Sequence, residues 1–310
     1  SMMPMITIRE HVPLGPLTSF KIGGTARHYI EAGSEEDIRA ALLWAREHSE
    51  PTVILGSGSN VLIPDDGLEA LVIRITTHDR NISNNVLTAD AGCSLMALIK
   101  QCAAMKLGGW EKLAGIPGTI GGAIRGNAGA FGSEIQDFVL WVRALNSNTL
   151  ETHEFSRDEC EFSYRRSFFK DHPEWVILNV HLSLQKTKGT ESTKLIEETI
   201  AERIKRHIQD VKAAGSYFMN PIVPEGVREQ FEKEKGVESR EGRVPAGWLI
   251  EKVGMKGASV GGAQASEQHP NYLINANHAT STQVRDLAKK IKKKVRDEFG
   301  VDLKEEAVVF

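Results

Sequence analysis

Four stretches of the chain carry the apolar and polar pattern of helices. In the stretch 34–48, Ile38, Leu42 and Ala45 share one face of a helix. Ser34 can cap this helix, with Asp37 three residues later. The stretch at about 195–212 is strongly charged, and the stretch at about 282–299 repeats apolar residues every three or four positions. The predicted helices cover 34–48, 94–106, about 195–212 and about 282–299.

Short apolar runs bounded by turn residues predict β-strands. The runs are 52–55, 61–63, 71–75, 139–145, 176–184 and the tail 303–310. In the tail, the neighbouring Glu305 and Glu306 would point to opposite faces of a strand. The stretch 186–194 has no apolar residue, so it predicts a linker.

The stretch 113–132 reads LAGIPGTIGGAIRGNAGAFG and holds seven glycines in twenty residues. Glycine inside a helix or strand costs about 0.5–1 kcal/mol relative to alanine, so this density predicts backbone that turns with positive φ or approaches something flat. Backbone amides between the glycines could then point at an anion or at ring carbonyls, as in a nucleotide or flavin site. A buried glycine-rich turn that only lets two layers pack is the alternative.

A second glycine-rich loop, Gly56-Ser-Gly-Ser-Asn60, lies between two predicted strands. Val61 stands where a dinucleotide fingerprint needs its third glycine, and a strand follows instead of a helix, which excludes a Rossmann interpretation. The loop predicts a nest of backbone N–H groups able to hold a pyrophosphate.

The segment 162–167 places Arg165 and Arg166 beside Tyr164. A guanidinium offers a planar fork that suits a carboxylate or a phosphate. The alternative is an ordinary pair of surface arginines.

Two later segments are also candidates. In 214–221, Ser216 follows a glycine without an adjacent histidine or a G-x-S-x-G elbow, which disfavours a nucleophile but not a proton donor. A plain turn is the alternative. The glycine pair in 260–264, followed by His269 and Asn271, indicates either close approach to a ligand or another turn.

Length and charge narrow the class of protein. The 310 residues suggest two or three domains, and 41% hydrophobic with 25% charged residues is ordinary for a soluble globular protein. A net charge of −3 disfavours a nucleic-acid surface, and the basic run 289–296 is expected to be a solvated helix face rather than a binding patch. The 3 cysteines lack metal-ligand spacing, so we expect no metal and a reducing compartment. No signal peptide or membrane span is expected, and Ser1 is expected to be a cloning remnant.

In order and spacing, the segments resemble the UDP-N-acetylenolpyruvoylglucosamine reductase family, flavoenzymes of bacterial peptidoglycan precursor synthesis. None is specific alone, but together they span about 17–307: they are 18–24 (TSFKIGG), 56–60, 114–132, 163–165 (SYR), 215–221 (GSYFMNP), 247–252 (GWLIEK), 261–264 and the tail around Glu306.

The resemblance implies an α+β fold, with a two-subdomain FAD-binding unit of the vanillyl-alcohol-oxidase (PCMH) type followed by a smaller α+β substrate-binding domain. It places the FAD-binding domain at 1–187, with subdomains of about 1–76 and 77–187. The substrate-binding domain follows at 188–310, and its tail 303–310 returns to the active site. The length resembles the shorter, type II subtype, and a cytoplasmic monomer is expected.

The chemistry that the resemblance implies is reduction of a UDP-sugar enolpyruvyl ether by NADPH through non-covalent FAD. Arg165 would stabilise charge on the substrate carboxylate, Ser216 would protonate the substrate carbon, and Glu306 would lie near the carboxylate. Glu305 takes that role if the alignment is off by one residue.

The remaining positions carried over from the family are expected to contact ligands, without a separate chemical role for each residue. Tyr164, Asn220, Lys252 and Gln264 are expected to face substrate or NADPH. The expected FAD positions are Gly56, Ser57, Gly58, Ser59, Asn60, Ile116, Pro117, Gly118, Thr119, Gly121, Gly122, Ala123, Asn127, Ala128 and Gly129.

Three features depart from the family pattern. Met219 replaces the usual lysine of G-S-x-F-K-N-P, Leu17 replaces an asparagine, and the chain stops at Phe310 soon after the acidic motif. The loss of a cation at Met219 is expected to weaken binding of an anionic substrate. Met219 motivates one alternative, a catalytically silent flavin- or nucleotide-sugar-binding protein. The other alternative is an FAD-dependent oxidase of the same fold.

Overall fold

A computed structural model of the chain describes residues 5–206 and 209–310. It divides into two compact units. The first comprises the described part of Ser1–Val12 with Ala26–Ser57 and Glu69–Lys205, and the second comprises Pro13–Thr25, Gly58–Leu68 and the described part of Arg206–Phe310.

Eight α-helices occur in the described residues. They are α1 (Glu35–Glu47), α2 (Leu95–Ala104), α3 (Ile120–Arg125), α4 (Phe168–Asp171), α5 (Glu191–Arg206), α6 (Glu225–Lys235), α7 (Ala246–Lys252) and α8 (Ser281–Phe299). Short 3-10 helices cover Gly15–Leu17, Glu111–Leu113, Ile135–Phe138 and Asp158–Cys160. None of the described helices is both long enough and apolar enough to cross a membrane.

Strands form two larger sheets and several short pairs. In chain order they are β1 (Arg9–Pro13), β2 (Thr25–Ala32), β3 (Thr52–Leu55), β4 (Val61–Leu62), β5 (Leu68–Ile75), β6 (Arg80–Ser83), β7 (Val86–Asp90), β8 (Leu107–Gly108), β9 (Gly129–Ala130), β10 (Ser133–Glu134), β11 (Val139–Asn146), β12 (Thr152–Ser156), β13 (Trp175–Ser183), β14 (Gln185–Lys186), β15 (Ser259–Val260), β16 (Ala263–Ala265), β17 (Leu273–Asn275) and β18 (Val308–Val309).

Unit 1 is built on a four-stranded sheet of order β1-β2-β5-β3 and a five-stranded sheet of order β12-β11-β13-β7-β6. β3 runs parallel to β5, whereas the pairs of the second sheet are antiparallel. Its core includes Val142 and Val180 of the second sheet and Ile124 of α3, all fully buried. Burial of such apolar side chains is the main stabilising contribution to this unit.

Unit 2 has a core of its own. Leu249 of α7 and Leu287 and Ile291 of α8 are fully buried together with residues of the small antiparallel sheet β15-β16-β17. Leu62 and Phe20 belong to the same core, and β4 pairs with β18 in parallel. These contacts place 13–25 and 58–68 in unit 2, although the predicted FAD-binding domain included both segments.

The helix predictions with strong periodicity are confirmed to within a few residues. α1 and α8 begin at N-caps whose side chains accept a backbone hydrogen bond, Ser34 from Asp37 and Thr280 from Gln283. Both helices also bury one apolar face, so local and tertiary preferences agree.

Three expectations were wrong in detail. The predicted linker 186–194 contains the first turn of α5, whose buried Ser192 donates a 2.6 Å hydrogen bond to Glu111 Oε1. The predicted helix to 212 is helical in the described residues only to Arg206, while 207–208 lie outside them. The tail 303–310 is a strand only at Val308–Val309.

Replacing Glu35 by glutamine should lower the free energy of unfolding at pH 7 by about 1 kcal/mol, because a half-buried ion pair is lost. Glu35 accepts hydrogen bonds from Arg143 Nη1 at 2.6 Å and Arg39 Nη2 at 2.9 Å. The hydrogen bond from Arg143 lowers the pKa of Glu35 from its ordinary 4.5, against the opposing effect of burial, and the hydrogen bond from Arg39 adds to the lowering.

A depressed carboxyl pKa stabilises the folded state above the ordinary value and loses that effect as the pH falls through the folded-state pKa. Urea titrations should therefore show the difference between wild type and Glu35→Gln shrinking from pH 7 to pH 3. Glu36→Gln is the control, since exposed Glu36 lies in the same helical turn and makes no recorded ion pair among the described residues. Equal destabilisation by both variants would contradict the assignment.

Candidate functional site

The glycine-rich segment of unit 1 forms a cradle of backbone around Thr119. Thr119 caps α3 by accepting from the Gly122 amide at 3.2 Å, and it lies beside Ser94 in an antiparallel bridge. Within residues 5–206 and 209–310, the structure records no acceptor for the backbone N–H of Gly118 or Thr119. Two adjacent amides of this kind suit an anionic ligand group such as a pyrophosphate.

Gly56, at the start of one predicted cofactor segment, lies beside Thr119 of the other, and both residues belong to unit 1. A Cβ added at Gly56 would lie 3.0 Å from Thr119 Oγ1, and one at Gly121 would lie 2.8 Å from Ala91 Cβ. Side chains at these positions would fill the cradle or displace its walls. Glycine therefore lets the backbone at position 56 lie against Thr119 and lets α3 pack closely against Ala91.

Asn127 is placed differently from a typical ligand-binding side chain. It is fully buried, and its Nδ2 donates to Glu134 Oε2 at 2.7 Å and to Ser163 O at 2.8 Å. Its Oδ1 accepts from Gln136 N at 3.3 Å. The polar atoms of the side chain are therefore occupied within the protein, and they hold the end of the cradle together. Sequence reasoning missed Glu134, whose only sign was a carboxylate just after the last glycine.

Arg165 lies beside the end of the cradle. Its Nη2 donates to Gly129 O at 2.7 Å and its Nη1 to Asn127 O at 3.4 Å, while the guanidinium carbon lies 5.1 Å from the Tyr164 ring centroid. Arg165 has a φ of +51°, a left-handed conformation that is unfavourable for a residue with a side chain.

Unit 2 brings the predicted Ser216 segment to the acidic tail. Tyr217 O accepts from Glu306 N at 2.8 Å, and Met219 N donates to Lys304 O at 2.8 Å. Asn60 Nδ2 also donates to Glu306 O at 3.2 Å. Ser216 is partly exposed, and a Cβ at the preceding glycine would meet nothing within 4 Å, so space beside the serine is open.

The two tail carboxylates have different environments. Glu305 lies in an isolated bridge with Phe218, and its carboxylate accepts from Lys292 Nζ of α8 at 2.9 and 3.3 Å. Glu306 is the residue whose backbone is tied to Tyr217 and Asn60. The strand alternation expected for these residues is wrong, because neither belongs to β18.

The other predicted ligand residues of unit 2 make contacts within the protein. Asn220 Oδ1 accepts from Ala246 N at 2.9 Å at the start of α7, and Gln264 Nε2 donates to Gly257 O at 3.3 Å. Lys252 Nζ lies 2.7 Å from Glu234 Oε1, a hydrogen bond that lowers the pKa of Glu234. The Lys252 charge is thus partly neutralised.

Position 58 requires glycine for two reasons: its backbone conformation, and the lack of space for a side chain. Its φ is +69°, and an added Cβ would lie 2.4 Å from Leu17 O. Ser19 N donates to Gly58 O at 3.0 Å, which ties this loop to the segment that departs from the family pattern at Leu17. The loop conformation survives that departure because the contact at Leu17 uses backbone.

The described residues offer no metal site or reactive thiol. They contain no group of three or more histidine, cysteine or acidic side chains that could hold a metal ion. All three cysteines are buried, and burial raises the pKa of Cys102 and Cys160 to about 12.

Comparison with known proteins agrees with both units. The model of an FAD binding domain matches 26–153, and the model of the UDP-N-acetylenolpyruvoylglucosamine reductase C-terminal domain matches 205–310. The UDP-N-acetylenolpyruvoylglucosamine reductase of Solibacter usitatus is 33% identical over 98% of this chain and 97% of its own length. That of Pseudomonas aeruginosa is 35% identical over 97% of this chain and 98% of its own length.

A solved structure shows the same fold. The crystal structure of UDP-N-acetylenolpyruvylglucosamine reductase (MurB) from Thermus caldophilus superposes with a TM-score of 0.78, at 27% identity, over 99% of this chain and 100% of that one. The expected α+β fold with an FAD-binding unit is confirmed. The chain therefore belongs to the UDP-N-acetylenolpyruvoylglucosamine reductase family.

Proposed function

We propose that this chain reduces the enolpyruvyl ether of UDP-N-acetylglucosamine-enolpyruvate to UDP-N-acetylmuramate, with NADPH as electron donor, in peptidoglycan precursor synthesis. Membership of the family gives the activity. The observation that carries it to these residues is the pairing of the Ser216 segment with the Glu306 tail through Tyr217 O and Glu306 N. We further propose that the enzyme acts as a cytoplasmic monomer.

The cofactor is FAD, and we propose that it is bound without a covalent bond. When bound, FAD supplies the substrate with hydride that originates from NADPH. The amides of Gly118 and Thr119 would face its phosphates, with Gly56 allowing the close approach. The remaining proposed FAD contacts are Ser57, Gly58, Ser59, Asn60, Ile116, Pro117, Gly121, Gly122, Ala123, Ala128, Gly129 and the backbone of Asn127.

Ser216 is the proposed proton donor. Reduction of the enolpyruvyl group requires one proton at the carbon next to the carboxylate, and a positioned hydroxyl can act as general acid without a triad. Ser216 is partly exposed beside open space, which allows a substrate to approach its hydroxyl.

Arg165 and Glu306 are the proposed partners of the substrate carboxylate. During reduction, negative charge builds on that carboxylate, and a preorganised guanidinium stabilises it in the transition state. The carbonyls of Gly129 and Asn127 orient the Arg165 fork. Glu306 is favoured over Glu305 as the carboxyl group of the site because Glu306 N donates to Tyr217 O, in the residue next to Ser216.

Substrate binding is assigned to Tyr164, Asn220, Lys252 and Gln264. Tyr164 packs against Arg165. Asn220 sits next to Met219, where the family usually has a lysine. We propose that the pocket is less cationic at Met219 than in relatives with that lysine and binds the anionic substrate more weakly.

The purified protein should be yellow, and denaturation should release free FAD into the supernatant because no covalent link holds it. Anaerobic NADPH should bleach the flavin band, and the enolpyruvyl ether should then restore it. Recovery of FMN, or of flavin attached to the chain, would contradict the cofactor site. Fast recovery in air without a response to the ether would identify an oxidase, and no response to NADPH or to the ether would identify a silent binding protein.

A further inference from the structure

Asn271 is buried beside the Ser216 segment. Only 2% of its surface is exposed. Its Oδ1 accepts from Phe218 N at 3.0 Å and its Nδ2 donates to Phe218 O at 2.9 Å. Its backbone O accepts from Tyr217 N at 2.8 Å. One residue thus satisfies three main-chain groups of the two residues that follow Ser216.

The opposite edge of the same segment is held by the tail. Tyr217 O accepts from Glu306 N, and Met219 N donates to Lys304 O, each at 2.8 Å. Residues 217–219 therefore lie between two sets of hydrogen bonds, and the Asn271 side chain acts as a substitute strand on one side. Phe218 is fully buried, so water cannot replace a lost partner there without a structural change.

We propose that Asn271 is a positioning residue for proton delivery: it fixes 217–218 so that the Ser216 hydroxyl is held at the reacting carbon of the substrate. The inference rests on the proposed function, in which Ser216 is the proton donor. Asn271 is too deeply buried to touch a substrate, so it acts through the backbone. A displacement of about 1 Å at a reacting group can cost on the order of 10²-fold in rate.

The test uses the FAD-loaded enzyme and measures its two half-reactions separately by anaerobic stopped flow. Asn271→Ala should slow recovery of the flavin band by the enolpyruvyl ether about 10–100-fold. Bleaching by NADPH, which needs no proton from Ser216, should change less than about twofold. Because proton delivery becomes slower, the solvent deuterium isotope effect on the ether step should rise.

Asn275→Ala is the matched control. Asn275 Oδ1 accepts from Ala279 N at 2.8 Å and its Nδ2 donates to Phe20 O at 3.1 Å, so it makes similar main-chain bonds in the same unit away from 216–219. It should lose stability without the change in isotope effect. If Asn271→Ala does not fold, Asn271→Asp, which keeps the acceptor for Phe218 N, should show the same selective loss to a smaller degree.

A double variant separates positioning from general damage. In a Ser216→Ala background, Asn271→Ala should slow the ether step less than about twofold further, because the group that it positions is gone. Hydrogen exchange of the peptide 214–221 should also be faster in Asn271→Ala than in wild type. Full additivity, or an unchanged ether step in Asn271→Ala, would overturn the inference. Failure of wild type to react with the ether would instead overturn the proposed function.

Discussion

Ser216→Ala should leave bleaching of the flavin band by NADPH nearly unchanged and slow its recovery by the enolpyruvyl ether by roughly 10²–10⁴-fold, the usual effect of losing a positioned general acid. The two steps separate because only the second consumes a proton at the substrate carbon. Anaerobic stopped flow at the flavin band measures each step by itself.

Ser216→Cys provides the control, since a thiol restores a proton donor of different size and acidity and should recover part of the loss. The open space around Gly215 makes position 216 suitable for both substitutions. Gly215 lies in the left-handed region with φ of +73° and with open space around its α-carbon, so neither change at Ser216 meets a crowded backbone at that residue. Equal slowing of both steps would show that Ser216 supports the flavin site or the fold, and the simple turn would then explain the motif.

Periodicity predicted the long helices well because local and tertiary preferences coincide in them. α8 ends at Phe299 and is followed by Gly300, whose φ of +65° suits a C-terminal cap, and its buried residues repeat at helical spacing. The same reasoning failed for α3. Its Gly121 and Gly122 are poor helix formers, but the Thr119 cap and the packing of Gly121 against Ala91 stabilise the helix from outside its own sequence.

Partners distant in sequence account for what the motifs could not predict at the candidate site. The ammonium group of Lys252 binds Glu234, which lies eighteen positions earlier and on another helix. No residue near Lys252 in the sequence predicts this partner. In the sequence, Asn271 is a polar residue after a glycine pair, a pattern that indicates either close approach to a ligand or another turn. In the structure, the side-chain amide of Asn271 forms hydrogen bonds with the backbone N and O of Phe218. Side-chain chemistry was therefore predictable, whereas the partner of each side chain needed the fold.

Arg165→Lys should lower turnover by about 10²-fold or more, the typical loss when one transition-state donor is removed. Lysine keeps the charge but replaces a planar fork by a single ammonium group. In the structure the Arg165 fork donates at once to Gly129 O and to Asn127 O, which fixes the plane of the guanidinium. Lysine cannot reproduce both contacts with the same orientation toward a carboxylate.

Arg166→Lys is the matched control for this prediction. Arg166 is the next residue in the same turn, but its guanidinium pairs with Asp171 Oδ2 at 2.8 Å and its side chain is 61% exposed. A surface ion pair of this kind contributes little to stability, so the control should keep turnover within about twofold. The loss in Arg165→Lys should fall on the step with the enolpyruvyl ether, because only the substrate brings the carboxylate. If Arg165→Lys also stays within about twofold of wild type, the carboxylate is bound elsewhere.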